Sequence, residues 1–116
     1  MRSKALVPPS VTKYALAFEK SARAEWDALD GSVKEPLRKA LKARLDNPVV
    51  PGSALRGDLA GCYKIKLQKL GYRLIYRVLD ETLIVLVISV GKRDGEAVYT
   101  AAIKRLRDVA ARKLAS

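Results

Sequence analysis

Apolar residues along this chain alternate between spacings of two and of three to four, and each change of spacing marks an element. From Thr12 to Phe18 the alternation predicts a strand, and from Glu19 to Leu29 the spacing of Ala22, Trp26 and Leu29 predicts a helix with one buried face. Trp26 on that face reads as a core residue between helices. Asp30-Gly31 breaks the chain, and Ser32-x-x-Glu35 has the form of a capping box opening a second helix, striped by Val33, Leu37, Leu41 and Leu45. Pro36 costs that helix one backbone bond near its start. Its other side carries Lys34, Arg38, Lys39, Lys42 and Arg44, a face for solvent or for phosphate.

Asp46-Asn47-Pro48 ends this helix, and a loop through Pro51-Gly52-Ser53 returns by Leu55-Arg56-Gly57. Three strands follow. Tyr63 to Gln68 alternate strictly, with Tyr63, Ile65 and Leu67 on one face and Lys64, Lys66 and Gln68 on the other. A two-residue turn near Leu70-Gly71 would put Lys64, Lys66, Arg73 and Arg77 on one face and Tyr72, Leu74 and Tyr76 on the other. Leu83 to Val90 is free of charge and apolar on both faces, as a central strand is. Gly91 ends it, and Asp94 can cap a C-terminal helix over 94–114 that carries Val98, Tyr99, Ala102, Ile103 and Leu106. The order βααβββα predicts an α+β fold of two layers, a mostly antiparallel four-stranded sheet with its helices packed on one face. The opposite face would then be open, concave and basic.

Length fits one domain over residues 1–116, with 1–10, including Pro8-Pro9, as a lead-in. Charge narrows the choice of partner. Twenty-three Lys and Arg against twelve Asp and Glu give +11, a self-repulsion that an anionic partner relieves. Nucleic acid comes first and an acidic protein second. Without histidine, and with a lone Cys62 that reads as a small buried side chain, zinc and histidine acid–base chemistry are disfavoured. Neither metal nor cofactor is expected. No apolar run is long enough for a membrane span and the N-terminal apolar stretch is short for a signal peptide, so a cytoplasmic protein without membrane partners is expected.

Lysines on a sheet face repel one another and gain little there unless they meet an anion. Lys64, Lys66, Arg73, Arg93 and Tyr99 together supply what metal-free RNA cleavage needs, namely a base, cations for a charged pentavalent phosphate and a proton for the leaving oxygen. Two cations ~6 Å apart at an effective dielectric of ~20 repel by about 3 kcal/mol, which favours the neutral, basic form of one lysine. Taken singly, each of these residues has an ordinary alternative: Lys64 and Lys66 as the solvated side of an amphipathic strand, Tyr99 as core. Residue types and spacing alone support a basic nucleic-acid-binding domain.

Longer segments carry a resemblance. Glu25-Trp26, Gly31-Ser32-Val33, Leu55-Arg56-Gly57, Cys62-Tyr63-Lys64-Ile65-Lys66-Leu67, Gly71-Tyr72-Arg73-Leu74, Val87-Ile88-Ser89-Val90-Gly91-Lys92-Arg93 and Glu96-x-Val98-Tyr99 are similar to segments of the RelE toxins. These belong to the RelE/ParE superfamily of type II toxin–antitoxin systems. The resemblance implies an endoribonuclease, an mRNA interferase that cuts mRNA in the ribosomal A site and leaves a 2′,3′-cyclic phosphate and a 5′-hydroxyl. It implies Lys66 as general base, Arg93 as general acid, Lys64 and Arg73 on the phosphate, and Tyr99 on the base. Arg56, Lys34, Arg38, Lys42 and Arg77 become candidates for RNA or ribosome contact. The implied partners are a RelB-like antitoxin and the 70S ribosome with its mRNA and ribosomal RNA. A toxin–antitoxin complex that binds operator DNA through the antitoxin is implied as well. The alternatives are a ParE-type inhibitor of DNA gyrase, a branch that lacks the Lys/Arg/Tyr set, and a basic binding module without catalysis.

Overall fold

The computed structural model describes residues 13–92 and 96–115, with side chains of the last helix up to residue 109. The elements are β1 (Ala15–Phe18), α1 (Lys20–Asp27), α2 (Gly31–Asp46), β2 (Cys62–Leu67), β3 (Tyr72–Leu79), β4 (Ile84–Lys92) and α3 (Ala97–Ala115). Short 3-10 turns at Pro51–Ser53 and Gly57–Leu59 join α2 to β2. The α+β class and the order βααβββα are as predicted. The strands run β1-β4-β3-β2 across the sheet, so β4, free of charge until Lys92 at its end, is central. β2 with β3 and β3 with β4 are antiparallel, while β1 lies parallel to β4 and makes the sheet mixed. A parallel neighbour needs a long crossover, and the chain from α1 through β3 supplies it.

The helices do not share one face, which corrects that expectation. Ala22 and Trp26 of α1 and Val33, Leu37 and Leu41 of α2 bury against Ile65, Leu74, Tyr76, Val85, Val87 and Val90. Val98 and Ala102 of α3 bury on the other side, with Leu59, Cys62, Ile75 and Ile88. β4 can feed both cores because it is apolar from Ile84 to Ile88 and its register shifts. Ile75 pairs with Ser89 but Tyr76 pairs with Val87, leaving Ile88 as an extra residue. Such a bulge re-aims side chains locally, and here Ile88 enters the α3 core while Ser89 Oγ donates to the Val98 carbonyl at 2.8 Å.

Two readings at α2 also change. Its N-cap is Asp30, whose carboxylate accepts from the Ser32 backbone, and Glu35 pairs with Arg38 rather than closing a capping box. Asp30 presents its carboxylate to the earliest free N–H groups, so the helix starts ahead of Ser32 and Pro36 falls within it. Arg44 is not on the solvated face. Half-buried, it donates to the Tyr76 hydroxyl at 2.7 Å, the Lys64 carbonyl at 3.3 Å and Ser53 Oγ at 3.3 Å, tying α2 to β2.

Both hairpin loops, residues 68–71 and 80–83, have four residues and end in the left-handed region, at Gly71 (φ 70°) and Leu83 (φ 55°). Glycine takes that conformation freely, whereas a residue with a Cβ loses roughly 1–2 kcal/mol there. Leu83 is 42% exposed, so little packing offsets the strain. Leu83→Gly is expected to raise stability by about 0.5 kcal/mol after its unfolded-state entropy, seen as a melting temperature ~2–3 °C higher.

Candidate active site at the end of the sheet

Four loop residues preserve the same parity as a two-residue turn, so the β2–β3 register sets Lys66 directly opposite Arg73. Residues so opposed have Cβ atoms ~4.5–5.5 Å apart, which puts two cations side by side. Lys64 stands two residues along β2 on the same face. The next residue on that face, Cys62, is buried in the α3 core, which identifies the cationic face as the one α3 partly covers. Burial pushes the Cys62 thiol up to about 11, so it is a packing residue and not a nucleophile.

α3 delivers Tyr99 to this place from its first turn. Arg73 Nη1 donates to Tyr99 Oη at 3.0 Å, and the guanidinium carbon lies 5.5 Å from the centre of the ring. The approach depends on Gly91, which pairs with Arg73 across β3 and β4. A Cβ at Gly91 would meet Val98 Cγ2 at 3.3 Å, so the missing side chain lets the start of α3 settle close to the sheet. Arg73 Nε is buried with no hydrogen-bond partner among the described residues. A cleft of about 30 Å³ lined by Lys66, Leu67, Gln68, Tyr72 and Arg73 opens beside it. Clustered fixed cations and N–H donors of this kind suit an oxyanion, and Tyr99 adds a half-exposed ring able to stack on a base.

Lys64, Lys66, Arg73 and Tyr99 therefore gather at one end of the sheet. Arg93 lies outside the described residues, as do Asp94 and the start at Thr12. Arg77 shares the face of Arg73 but stands four residues away along β3, ~13 Å by strand geometry, beside Cys62 and outside the cluster. Arg56 is exposed ahead of the Gly57–Leu59 turn. Lys34, Arg38 and Lys42 form an i, i+4, i+8 row along α2, on the opposite side of the sheet from α3. The roles of Arg44, Ser89 and the ion cluster of Glu19, Glu25 and Arg105 are not among those expected from the sequence. Ser89 had a visible signal as a polar residue inside a largely apolar strand, and so had Arg44, spaced three and seven residues from Leu41 and Leu37 of the apolar stripe.

A sequence model of the family described as the ParE toxin of the type II toxin–antitoxin system parDE matches residues 16–96. The mRNA interferase toxin RelE of Escherichia coli is 47% identical over 93 residues, which span 80% of this chain and 97% of that protein. The crystal structure of the isolated E. coli RelE toxin superposes with a TM-score of 0.68 at 46% identity, covering 80% of this chain and 98% of the other. The intact E. coli RelBE toxin–antitoxin complex contains a chain that superposes with a TM-score of 0.67 at 46% identity, over 71% and 99% of the two chains. A family match over most of the chain, a relative covered nearly end to end and the shared fold agree: the chain belongs to the RelE/ParE superfamily of type II toxins, among its RelE toxins.

Proposed function

We propose that this protein is the toxin of a type II toxin–antitoxin pair, an endoribonuclease that cleaves mRNA on the ribosome and is neutralised by a RelB-like antitoxin. The observation that carries the chemistry is the juxtaposition of Lys66, Arg73 and Tyr99, with the arginine fixed by its bond to the tyrosine. Lys66 in its neutral form takes the proton of the ribose 2′-hydroxyl. The 2′-oxygen then bonds to phosphorus, the bond from phosphorus to the 5′-oxygen breaks, and that oxygen takes up a proton from solvent while protonated Lys66 returns its proton to solvent, so the net reaction neither gains nor loses a proton. Products are a 2′,3′-cyclic phosphate and a 5′-hydroxyl, with no water consumed.

Lys64 and Arg73 neutralise charge on the phosphate as it becomes pentavalent. Tyr99 stacks on the adjacent base and orients it for in-line attack. Arg93, next in sequence after the final residue of β4, supplies positive charge near the leaving oxygen. A guanidinium does not give up its proton in a protein, so this contribution is electrostatic in the main. The row of Lys34, Arg38 and Lys42, with Arg56 and Arg77, contacts ribosomal RNA phosphates through charge alone. No helix among the described residues is long and apolar enough to cross a membrane, and the proposed ribosomal target places the protein in the cytoplasm.

Primer extension on ribosome-bound mRNA, with naked mRNA alongside, tests the reading. Cuts in the A-site codon that require both the protein and the ribosome are expected. A folded protein that leaves both RNAs intact overturns it in favour of gyrase inhibition or binding without chemistry.

A further inference from the structure

Beyond its first turn, α3 is held by a cluster remote from the cations. β1 stops at Phe18 opposite Val87, and β4 runs on past its neighbour. There the Ile88 carbonyl accepts from Arg105 Nη1 at 2.9 Å, and the Val90 N–H donates to Glu25 Oε1 at 3.2 Å. Arg105 and Glu25 are joined in turn by two parallel bonds of 2.8 and 2.9 Å, and Glu19 lies 3.7 Å from Arg105 Nε. The Arg105 side chain is 16% exposed and that of Glu19 10%. Glu19 also caps α1 by accepting from the Ala22 N–H. One guanidinium therefore joins α1, β4 and α3 around the sheet edge, although α1 and α3 lie on opposite faces.

Val98, Ala102 and Arg105 are spaced i, i+4, i+7 and form the stripe that meets the sheet. Tyr99, Ile103 and Leu106 repeat that spacing one residue on, about 100° round the helix. Any roll of α3 that moves Arg105 moves Tyr99 as well. A tyrosine hydroxyl stands roughly 8 Å from the helix axis, so a ~20° roll displaces it by about 3 Å, enough to part it from Arg73. The bidentate geometry of Arg105 resists such a roll beyond Ala102, adding to the packing of Val98 and Ala102 and the Ser89–Val98 bond in the first turn.

We propose that the Glu19–Glu25–Arg105 cluster is a positioning device for the reaction, setting the roll of α3 and thereby holding Tyr99 over Arg73. The assignment rests on the ribonuclease reading above and adds to it residues that touch neither RNA nor the cationic cluster. Arg105→Lys is the informative variant. It keeps the charge that Glu19 and Glu25 require, but a lysine cannot grip Glu25 with two bonds and reach the Ile88 carbonyl together.

Single-turnover cleavage of ribosome-bound mRNA by Arg105→Lys is expected to fall roughly 10- to 100-fold, with the half-saturating ribosome concentration unchanged within about twofold. Made in a Tyr99→Ala background, the same change is expected to add less than about twofold, because a residue acting through Tyr99 has nothing left to position. In protein labelled with 3-fluorotyrosine, the Tyr99 fluorine resonance is expected to shift in Arg105→Lys while those of Tyr63 and Tyr76 stay in place. That readout needs no substrate. A protein that cleaves, yet shows an unmoved Tyr99 resonance or additive losses in the Tyr99→Ala background, overturns the clamp alone. An unmodified protein that cleaves nothing overturns the ribonuclease reading itself.

Discussion

Lys66→Ala is expected to lower the single-turnover rate of ribosome-bound mRNA cleavage by roughly 10²–10⁴-fold, the range for losing a positioned acid–base group. The side chain is exposed at the end of β2, so its removal is expected to change stability by no more than about 0.5 kcal/mol. One cation fewer weakens ribosome binding modestly, and raised salt should weaken the variant and the unmodified protein almost alike. Rapid-quench cleavage beside a ribosome co-sedimentation titration separates the two effects. Near-equal rates, with all of the loss in affinity, would make Lys66 an anchor and remove it from the chemistry. Arg73→Ala makes a useful contrast. Loss of charge stabilisation there is expected to cost roughly 10²–10³-fold, and Tyr99 loses the donor that holds its hydroxyl.

The largest effect on stability is expected at Tyr76. Its side chain is fully buried, its ring stacks on Tyr63 with centroids 5.7 Å apart, and its hydroxyl donates to the Pro48 carbonyl at 2.7 Å while accepting from Arg44. Tyr76→Ala removes an aromatic ring from a packed interior, at about 3–5 kcal/mol. It also strands the Pro48 carbonyl and removes one of the three hydrogen bonds from Arg44. Tyr76→Phe keeps the ring and is expected to cost only about 1–2 kcal/mol, the value of the lost hydrogen bonds. Urea titrations followed by Trp26 fluorescence give both numbers, and equal losses would show that the hydroxyl network rather than the ring carries the effect. Burial raises the Tyr76 phenol above its ordinary value. Its contribution is therefore complete below pH ~10 and lost as pH rises through the higher folded value.

Elements with a strong period were legible in the sequence. The stripe Val33, Leu37, Leu41 has its apolar face where a period of 3.6 puts it, and the alternation from Tyr63 to Leu67 put Ile65 in the core beneath α2. Central placement of β4 followed from the lack of charge between Leu83 and Val90, since a strand covered on both faces cannot hold an ion without a partner. The helix start was misread because Asp30 and Ser32 are both good caps and sequence alone does not rank neighbours so close. Grouping Arg44 by charge with Lys34, Arg38 and Lys42 hid its spacing: three residues after Leu41 and seven after Leu37, it lies beside the apolar stripe, and its long side chain reaches Tyr76 and the Lys64 carbonyl.

By itself the sequence determined the α+β order, the core stripes, the sharing of one face by Lys64, Lys66 and Arg73, and the resemblance that named a chemistry. All of these rest on periodicity, on hairpin parity or on contiguous residues, which are local quantities. Only the tertiary structure decided that α3 crosses to the cationic face and brings Tyr99 onto Arg73, that Arg77 stands apart, and that Glu25 meets Arg105 across 80 positions. Those contacts depend on a bulge at Ile88, a bare Gly91 and the point where β1 ends, and no spacing along the chain encodes the three together.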